Sequence, residues 1–561
     1  MAEILKRGWK FLIVSTLVFI TVLLLFNVQI NPYLDNRQNV LVSNVINVAA
    51  SKRLTSSYVT EGPIFNENTY QKKNVSAFCA GVDIYGKPQL TSVVHSRIDA
   101  TKLDPTTPGL LYVYVSTYTK RNVSKTSGGD VINMIANEVN GDGKITAFVF
   151  DHNNGKYSGV FQVPWTGKTA VRVKVLSFVE NACLRLKSME KYGNQVFTMQ
   201  SGWGIRGKFV TSRGLTEFTP CGANDYIFGY PNQCNFTSVN ANESWFCGQP
   251  RHSLINCRDI YSFGTGPFES KAAGPSEKVA LPNSAALKSS VTANSPKSTE
   301  ARDRIPCNER PPRYSWTELG QFPNGYWARN QWRMYNCSSS LVHSVKSYRN
   351  CLQNKTVYFL GDSTVRQYAE YFINTLLGYN VKNFKDMVGS GRQYHSKQIY
   401  KNFGINVTYI KHAMPFHNPD FPPTGITSLP MEIERLSNSD IPDKALILVV
   451  NYHVHFQAYP VDIFRGRVRS LAQSLSIFLQ AKPTASVLFK GFHACSDDTR
   501  WFDNKLTLIF RGIVKEEFGE LKDRVVYLDT WSITAAHDSL ALHPAGNAFT
   551  SQIQQFLTYV C

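Results

Sequence analysis

The sequence predicts a multidomain protein with an N-terminal transmembrane helix, a β-sandwich, and a C-terminal α/β domain with a mostly parallel sheet. A long apolar run lies near the N-terminus. Short strand-like segments separated by Gly and Asn turns fill residues 61–266, and Val-, Ile- and Leu-rich strands alternate with helices from Cys307 onward. A chain of 561 residues is also too long for one core, because chains beyond roughly 250–300 residues usually divide into domains.

The apolar run at residues 11–30 has the length of a membrane-spanning helix. Lys and Arg residues precede it, so the positive-inside rule places residues 1–10 in the cytosol and everything after the run in the lumen. A cleaved signal peptide is the alternative, but its apolar core would span only about 7–15 residues. The sequence therefore predicts a single-pass type II membrane protein of the Golgi or secretory pathway, with secretion after cleavage as the second possibility.

The N-glycosylation motifs agree with a luminal location for the part of the chain that follows the apolar run. All of them follow the apolar run. The predicted acceptors are Asn74, Asn122, Asn235, Asn242, Asn336, Asn354 and Asn406.

The eleven cysteines also follow the run, in a compartment that permits disulfides. They form an even set and an odd set: Cys79, Cys183, Cys221, Cys234, Cys247 and Cys257, then Cys307, Cys337, Cys351, Cys495 and Cys561. Pairing does not follow from sequence. The odd cysteine implies a free thiol, an interdomain bridge or an intermolecular bridge.

Composition shifts divide the luminal part of the chain. Residues 31–60 form a polar stem, and the many short strands of residues 61–266 suggest an immunoglobulin-like sandwich. Within it, the cysteine-dense segment 221–257 is predicted to be a loop region held by disulfides. Residues 267–303, rich in Ser, Ala, Pro and Lys, predict a disordered linker. The α/β domain then occupies residues 304–561.

The formal net charge of +19 limits the classes of partner. The basic residues are scattered, and the sequence carries no nucleic-acid-binding motif, so we expect no nucleic acid partner. An acidic glycan is the charged partner that remains.

A candidate nucleophile, Ser363, follows the predicted strand 356–360 and opens a predicted helix. That position presents the side chain at the carboxyl edge of the sheet, over the positive end of the helix dipole. The serine backbone N–H can contribute to an oxyanion hole. The plainer interpretation of Gly361-Asp362-Ser363 is a helix cap at an ordinary strand-to-helix turn.

Further candidates surround this serine. Asn451 ends the strand 445–450 and is a candidate oxyanion donor, as are the backbones of Gly389 and Gly391, although ordinary turns explain each of them singly. His543, in a loop near the C-terminus, is the candidate base, and Asp538 is the nearest carboxylate that could orient it. His453 and His455 lack a third metal ligand, so no metal is predicted.

The motifs resemble a known family. Gly361-Asp362-Ser363 with Asn451 and His543-Pro544 resembles GDSL/SGNH hydrolases, and with the terminal Tyr559-Val-Cys561 it is similar to the PC-esterase domain of the NXPE (neurexophilin and PC-esterase domain) family. Segments 151–167 and 221–231 resemble the neurexophilin-like half of that family.

The resemblance implies a neurexophilin-like Ig-type β domain followed by an SGNH-type domain that adds or removes acetyl esters on glycans, with sialic acid as a candidate substrate. It makes Ser363 the nucleophile and His543 its base, with Asn451 and Gly389 or Gly391 at the oxyanion. No cofactor is expected to be bound, and acetyl-CoA is a candidate acetyl donor. The expected partners are a glycan or glycoprotein substrate, the membrane, and a protein partner for the β domain.

One departure from the family pattern affects the expected activity. SGNH enzymes usually carry an Asp three residues before the His, where this chain has Leu540. Three explanations stay open: the loop brings Asp538 in, the enzyme works as a Ser–His dyad, or the domain is inactive. Accordingly, the alternative to an esterase or acyltransferase is an inert glycosylated binding protein that acts through its neurexophilin-like domain.

Overall fold

The structure is a computed structural model that describes residues 78–84, 89–192, 203–267, 285–294, 305–316, 323–381, 398–415, 423–424, 426–495 and 502–561. Residues 63–561 form one unit, to which all of the following belongs. The predicted cytosolic tail, membrane anchor and stem lie outside the described residues. Within the described ranges, no helix is both long and apolar enough to cross a bilayer.

Two antiparallel sheets pack face to face in the first part of the chain. Their core is formed by inward-facing side chains such as Val113, Met134, Phe161 and Val171. β1, β2, β6 and β5 form one sheet, while β7, β3 and β4 belong to the other. The strands are β1 (Arg97–Leu103), β2 (Leu110–Ser116), β3 (Val131–Glu138), β4 (Lys144–Thr146), β5 (Phe148–Asp151), β6 (Lys156–Gln162) and β7 (Gly167–Ser177). The immunoglobulin-like classification of this sandwich stays a prediction.

The next segment leaves the sandwich. It comprises α1 (Val179–Tyr192), β8 (Trp203–Val210), β9 (Thr216–Gly222), β10 (Gln233–Asn235), β11 (Phe246–Gly248) and β12 (Ile260–Pro267). These five strands form a separate antiparallel sheet whose apolar side chains share a core with the α/β domain, for example through Trp245 and Tyr459. The sequence predicted residues 61–266 as one sandwich domain, with 221–257 as a loop region held by disulfides. The structure corrects both points, because β10 and β11 lie in that segment and the sheet packs against the α/β domain.

The structure corrects the predicted linker and the boundary after it. β13 (Leu287–Ala293) lies within the predicted disordered segment 267–303, yet it pairs antiparallel with β7. Its alternate residues from 287 to 293 are the less exposed ones, a period-two pattern that small polar residues concealed. β14 (Gly325–Ala328) and β15 (Gln331–Met334) form a hairpin that extends the same sandwich sheet, although both follow residue 304.

The α/β domain contains a six-stranded sheet in the order β17-β18-β16-β19-β20-β21. β17 pairs antiparallel with β18, and all other neighbours pair parallel. The elements are α2 (Val345–Leu352), β16 (Thr356–Gly361), α3 (Ser363–Tyr371), β17 (Ile399–Asn402), β18 (Ile405–Lys411), α4 (Leu429–Ser437), β19 (Leu446–Val450), α5 (Val461–Ala481), β20 (Ser486–Lys490), α6 (Asn504–Glu517), β21 (Val525–Leu528), α7 (Thr530–His537) and α8 (Gly546–Val560).

Helices cover both faces of this sheet. α3 and α8 pack on one face and α4, α5 and α6 on the other, where α1 joins them through Cys183 and Leu186. Strand residues are therefore buried on both sides, which explains the continuous apolar runs that predicted them.

Five disulfides pair ten of the eleven cysteines within the two sets recognised in the sequence. The bonds are Cys79–Cys183, Cys221–Cys247, Cys234–Cys257, Cys307–Cys337 and Cys351–Cys561. Cys495 is buried and lies outside these bonds, so the odd cysteine forms no interdomain bridge.

The predicted glycosylation asparagines lie mostly at the surface. Asn406 is half-buried and donates to Thr356, and Asn74 lies outside the described residues. The others are exposed: Asn122, Asn235, Asn242, Asn336 and Asn354.

Candidate functional site

Two residues that the sequence singled out, Ser363 and Asn451, lie at the carboxyl ends of parallel strands, together with His412, which no motif indicated. Ser363 follows β16, His412 follows β18, and Asn451 follows β19. This is the edge at which α/β sheets bind ligands, because loops leave the core there and strands of one direction end together.

The turn between β16 and α3 depends on a glycine. Gly361 has φ +153°, and a Cβ on it would lie 2.5 Å from the backbone oxygen of Asn451. Asp362 then caps the helix, accepting from the Thr364 N–H at 2.8 Å and from its hydroxyl at 2.7 Å. Ser363 is therefore fixed as the first residue of α3.

Ser363 meets His543. The Nε2 atom of His543 lies 2.9 Å from the Oγ atom of Ser363, although the two residues are 180 positions apart in the chain. His543 is exposed and Ser363 is half-buried, so the pair can reach a bound substrate. A second contact joins the same elements: the side-chain amide of Gln367, one turn further along α3, donates to the Pro544 carbonyl at 3.2 Å.

Asp538 does not take the predicted orienting position. It ends α7 in the left-handed conformation with φ +63°, and its Oδ2 accepts from Lys174 at 2.6 Å and lies 3.2 Å from Arg172. Its Oδ1 has no hydrogen-bond partner among the described residues. Neither oxygen hydrogen-bonds to His543, because the turn directs the carboxylate toward cationic side chains on β7 of the sandwich.

Helix α7, which leads into the His543 loop, is held by the sandwich sheet. Asn133 on β3 donates to the Ala535 carbonyl at 3.1 Å, and the Trp327 indole on β14 donates to the Ile533 carbonyl at 3.0 Å. With the Asp538 ion pairs, these contacts attach the loop carrying the candidate base to the β half of the molecule. No motif in the sequence predicted that the β half holds the loop that carries His543.

Asp362 is the buried anion of the site. It is 1% exposed, and its Oδ2 accepts from the Val454 N–H at 3.1 Å. Burial opposes ionisation, but the positive charges of His455 and Lys490 outweigh that effect, so the pKa of Asp362 lies well below its usual range.

Burial lowers the pKa values of three basic residues around Asp362. Burial lowers the pKa of His412 to about 4 and that of His453 to about 3. The pKa of Lys490 falls to about 8, since burial lowers it more than Asp362 raises it. At neutral pH Lys490 is therefore charged while these two histidines are neutral, and Lys490 is one of the cations that balance Asp362.

Of the three predicted oxyanion donors, Asn451 is the one that lies within the described residues. Asn451 lies beside Gly361 and is fully buried, and its Nδ2 donates one hydrogen bond to the Lys490 carbonyl at 2.7 Å. The amide has a second N–H, so its role as an oxyanion donor stays a prediction. Gly389 and Gly391 lie outside the described residues. His453 and His455 belong to no group of three metal-ligating side chains in the described part of the chain.

Residues 332–561 match the family model described as "NXPE family member 4-like, C-terminal domain". The resemblance predicted from the motifs is therefore confirmed for the C-terminal part of the chain.

Three solved structures are similar to parts of this chain at low scores. A GDSL-like lipase from Parabacteroides merdae has 13% identity and a TM-score of 0.22, covering 37% of this chain and 97% of its own. A catalytic mutant of an acetylxylan esterase from Geobacillus stearothermophilus has 16% identity and a TM-score of 0.20, covering 37% and 94%. A family two carbohydrate esterase from Cellvibrio japonicus has 8% identity and a TM-score of 0.19, covering 84% and 98%. Scores this low do not show a shared fold, so nothing about this chain follows from them.

Proposed function

We propose that the C-terminal part of this chain, residues 332–561, which matches the NXPE family model, is a serine esterase or acyltransferase of SGNH type. Its substrates are O-acetyl groups of glycans. The observation that carries the proposal is the 2.9 Å contact between the Ser363 hydroxyl and the His543 ring at the carboxyl edge of the sheet.

The chemistry begins when His543 Nε2 accepts the Ser363 proton as Oγ attacks the carbonyl carbon of an acetyl ester. The carbonyl electrons move to its oxygen, and the backbone N–H of Ser363, in the first turn of α3, has no intrahelical acceptor and is available to that oxyanion. Collapse of the intermediate breaks the bond to the leaving group, which takes the proton from His543. The acetyl group is then bonded to Ser363 Oγ.

The second half of the reaction, in which the acetyl group leaves Ser363, repeats these steps with a hydroxyl group as the nucleophile. Water gives acetate and an esterase, whereas a sugar hydroxyl gives an O-acetylated glycan and a transferase. His543 takes the proton of the incoming hydroxyl and returns it to Ser363 as the acyl bond breaks. In the transferase, acetyl-CoA is the donor that we propose, and sialic acid is the acceptor suggested by the family resemblance.

We propose a luminal site of action, in a type II membrane protein of the Golgi. Five disulfides support an oxidising compartment, and five exposed asparagines in glycosylation motifs support passage through it. The scattered positive charge favours an acidic glycan over a neutral one.

The test compares wild type with Ser363→Ala, using Ser253→Ala as the control because Ser253 is exposed and far from the site in sequence. We expect Ser363→Ala to lose at least about 1,000-fold in hydrolysis of p-nitrophenyl acetate, and to abolish the change in glycan O-acetylation on expressing cells. Ser253→Ala should match wild type. Equal activity in all three proteins would refute the proposal and favour the binding protein that acts through its β domain.

A further inference from the structure

The loop that carries His543 connects two helices, α7 and α8, and spans residues 538–545. Toward the sheet edge, His543 contacts Ser363, and the next residue, Pro544, accepts from Gln367. In so short a connection, a shift of either flanking helix moves the ring of His543. The contacts that hold α7 and α8 therefore determine whether the Ser363–His543 pair forms.

Side chains of the sandwich sheet hold α7. The Trp327 indole on β14 donates to the Ile533 carbonyl at 3.0 Å, and the Asn133 amide on β3 donates to the Ala535 carbonyl at 3.1 Å. The Trp327 ring also lies 4.5 Å from the ring of His537, the last residue of α7. Two hydrogen bonds and a ring contact thus fix the second half of this helix from the β side.

The hairpin of β14 and β15 reaches the helix on the other side of the loop as well. The backbone N–H of Trp332 on β15 donates to the Ser551 hydroxyl on α8 at 3.3 Å. The hairpin itself belongs to the sandwich sheet, where Trp327 pairs with Lys144 of β4. One element of the sandwich therefore contacts both helices that flank the His543 loop.

The first half of the loop rests directly on the sandwich. Asp538 forms its ion pair with Lys174 on β7. Two residues further on, Leu540 packs against an apolar cluster that includes Val131 of β3 and Leu176 of β7. The chain therefore leaves α7, contacts the sandwich twice, and only then turns toward the sheet edge.

We propose that the sandwich is part of the catalytic unit, with Trp327 and Leu540 acting as positioning residues for His543. The proposal rests on the esterase or acyltransferase function proposed above. A general base has to stay within hydrogen-bond reach of the hydroxyl that it deprotonates, and a misplacement of about 1 Å can cost on the order of 100-fold in rate. Because the sandwich sets the position of the loop, changes at these contacts should lower kcat.

The first test compares Trp327→Phe with a matched control, Trp165→Phe, in the purified full-length protein. The Trp165 indole donates to the Thr169 hydroxyl at 2.9 Å inside the sandwich, so both changes remove one buried indole hydrogen bond. With p-nitrophenyl acetate, Trp327→Phe should lower kcat about tenfold and leave KM within about twofold. Trp165→Phe should lower Tm by a similar amount without changing kcat. Equal kcat values in the two variants would overturn the proposal.

The second test uses Leu540, three residues before His543, where the family pattern predicts an orienting Asp. Leu540→Asp supplies that carboxylate but removes the apolar contact with the sandwich, so kcat should fall at least about tenfold with little change in KM. Leu540→Met keeps an apolar contact and should retain kcat within about threefold. A kcat of Leu540→Asp equal to or above that of wild type would overturn the proposal.

The two levels of the account fail in different ways. If wild type hydrolyses no ester, the proposed function itself is refuted, and the positioning role with it. If wild type is active and neither Trp327→Phe nor Leu540→Asp lowers kcat, the positioning role alone is overturned.

Discussion

Replacing Asp538 with Asn separates its two conceivable roles, as the orienting acid of a catalytic triad and as an ion-pair anchor for α7. Asn keeps the shape of the side chain and tolerates the left-handed backbone at this position, so the change removes charge with little added strain. The structure assigns the carboxylate to Lys174 and Arg172, and we therefore expect stability to respond more than catalysis.

The magnitude follows from the exposure of the three side chains. Asp538 is 14% exposed, Lys174 16% and Arg172 31%, so these ion pairs are partly buried. A surface ion pair contributes about 0–1 kcal/mol, and disruption of a buried pair costs about 3–5 kcal/mol, so we expect an effect between these values. We expect Asp538→Asn to lower the free energy of unfolding by about 1–2 kcal/mol. The loss in kcat should stay below about tenfold, against roughly 10,000-fold for a true triad acid.

The assay combines urea unfolding with ester hydrolysis, and Lys174→Met completes a double-mutant cycle. The coupling between the two changes should account for most of the loss in stability. A loss in kcat above about 1,000-fold with unchanged unfolding would refute this reasoning and make Asp538 the acid that orients His543.

Three other perturbations test the site. Gln367→Leu removes the contact to Pro544, and kcat should fall about tenfold while Tm changes little; a drop in Tm with unchanged kcat would show a merely structural contact. Gly361→Ala places a methyl group against the Asn451 carbonyl, so the free energy of unfolding should fall by about 3 kcal/mol or more in urea, and a loss below 1 kcal/mol would contradict the strain. Because burial lowers the pKa of Lys490 to about 8, its protonated form favours the unfolded state between pH 8 and 10. Stability relative to Lys490→Met should therefore rise with pH over that range, by on the order of 3 kcal/mol, and a flat or falling difference would refute the shift.

The sequence could predict the elements around Ser363 because they depend on local pattern. A buried strand, a glycine and a helix of period 3.6 place the serine at the sheet edge, and the structure shows that turn. The position of Gln367 near the site could also be predicted, because it lies four residues after Ser363 and thus on the same side of α3. Its partner, the Pro544 carbonyl, was not.

Contacts between distant parts of the chain could not be predicted in this way. Asp538 is 364 residues from Lys174, and no periodicity links an anion after one helix to a cation on a strand of another sheet. β13 was missed because Ser, Thr and Lys obscure its alternation, and its burial depends on β7. Asn451 was placed at the correct strand end, but only the position of β20 shows that its amide binds the Lys490 carbonyl.

The most direct measurement is the site at which a fluorophosphonate probe bonds to the purified full-length protein at pH 7, read by peptide mass spectrometry. The Ser363–His543 pair predicts a single adduct on the peptide that contains Ser363, with labelling at least about 100-fold slower in His543→Ala. An adduct on another residue, or labelling at an equal rate in His543→Ala, would contradict the catalytic assignment of the pair.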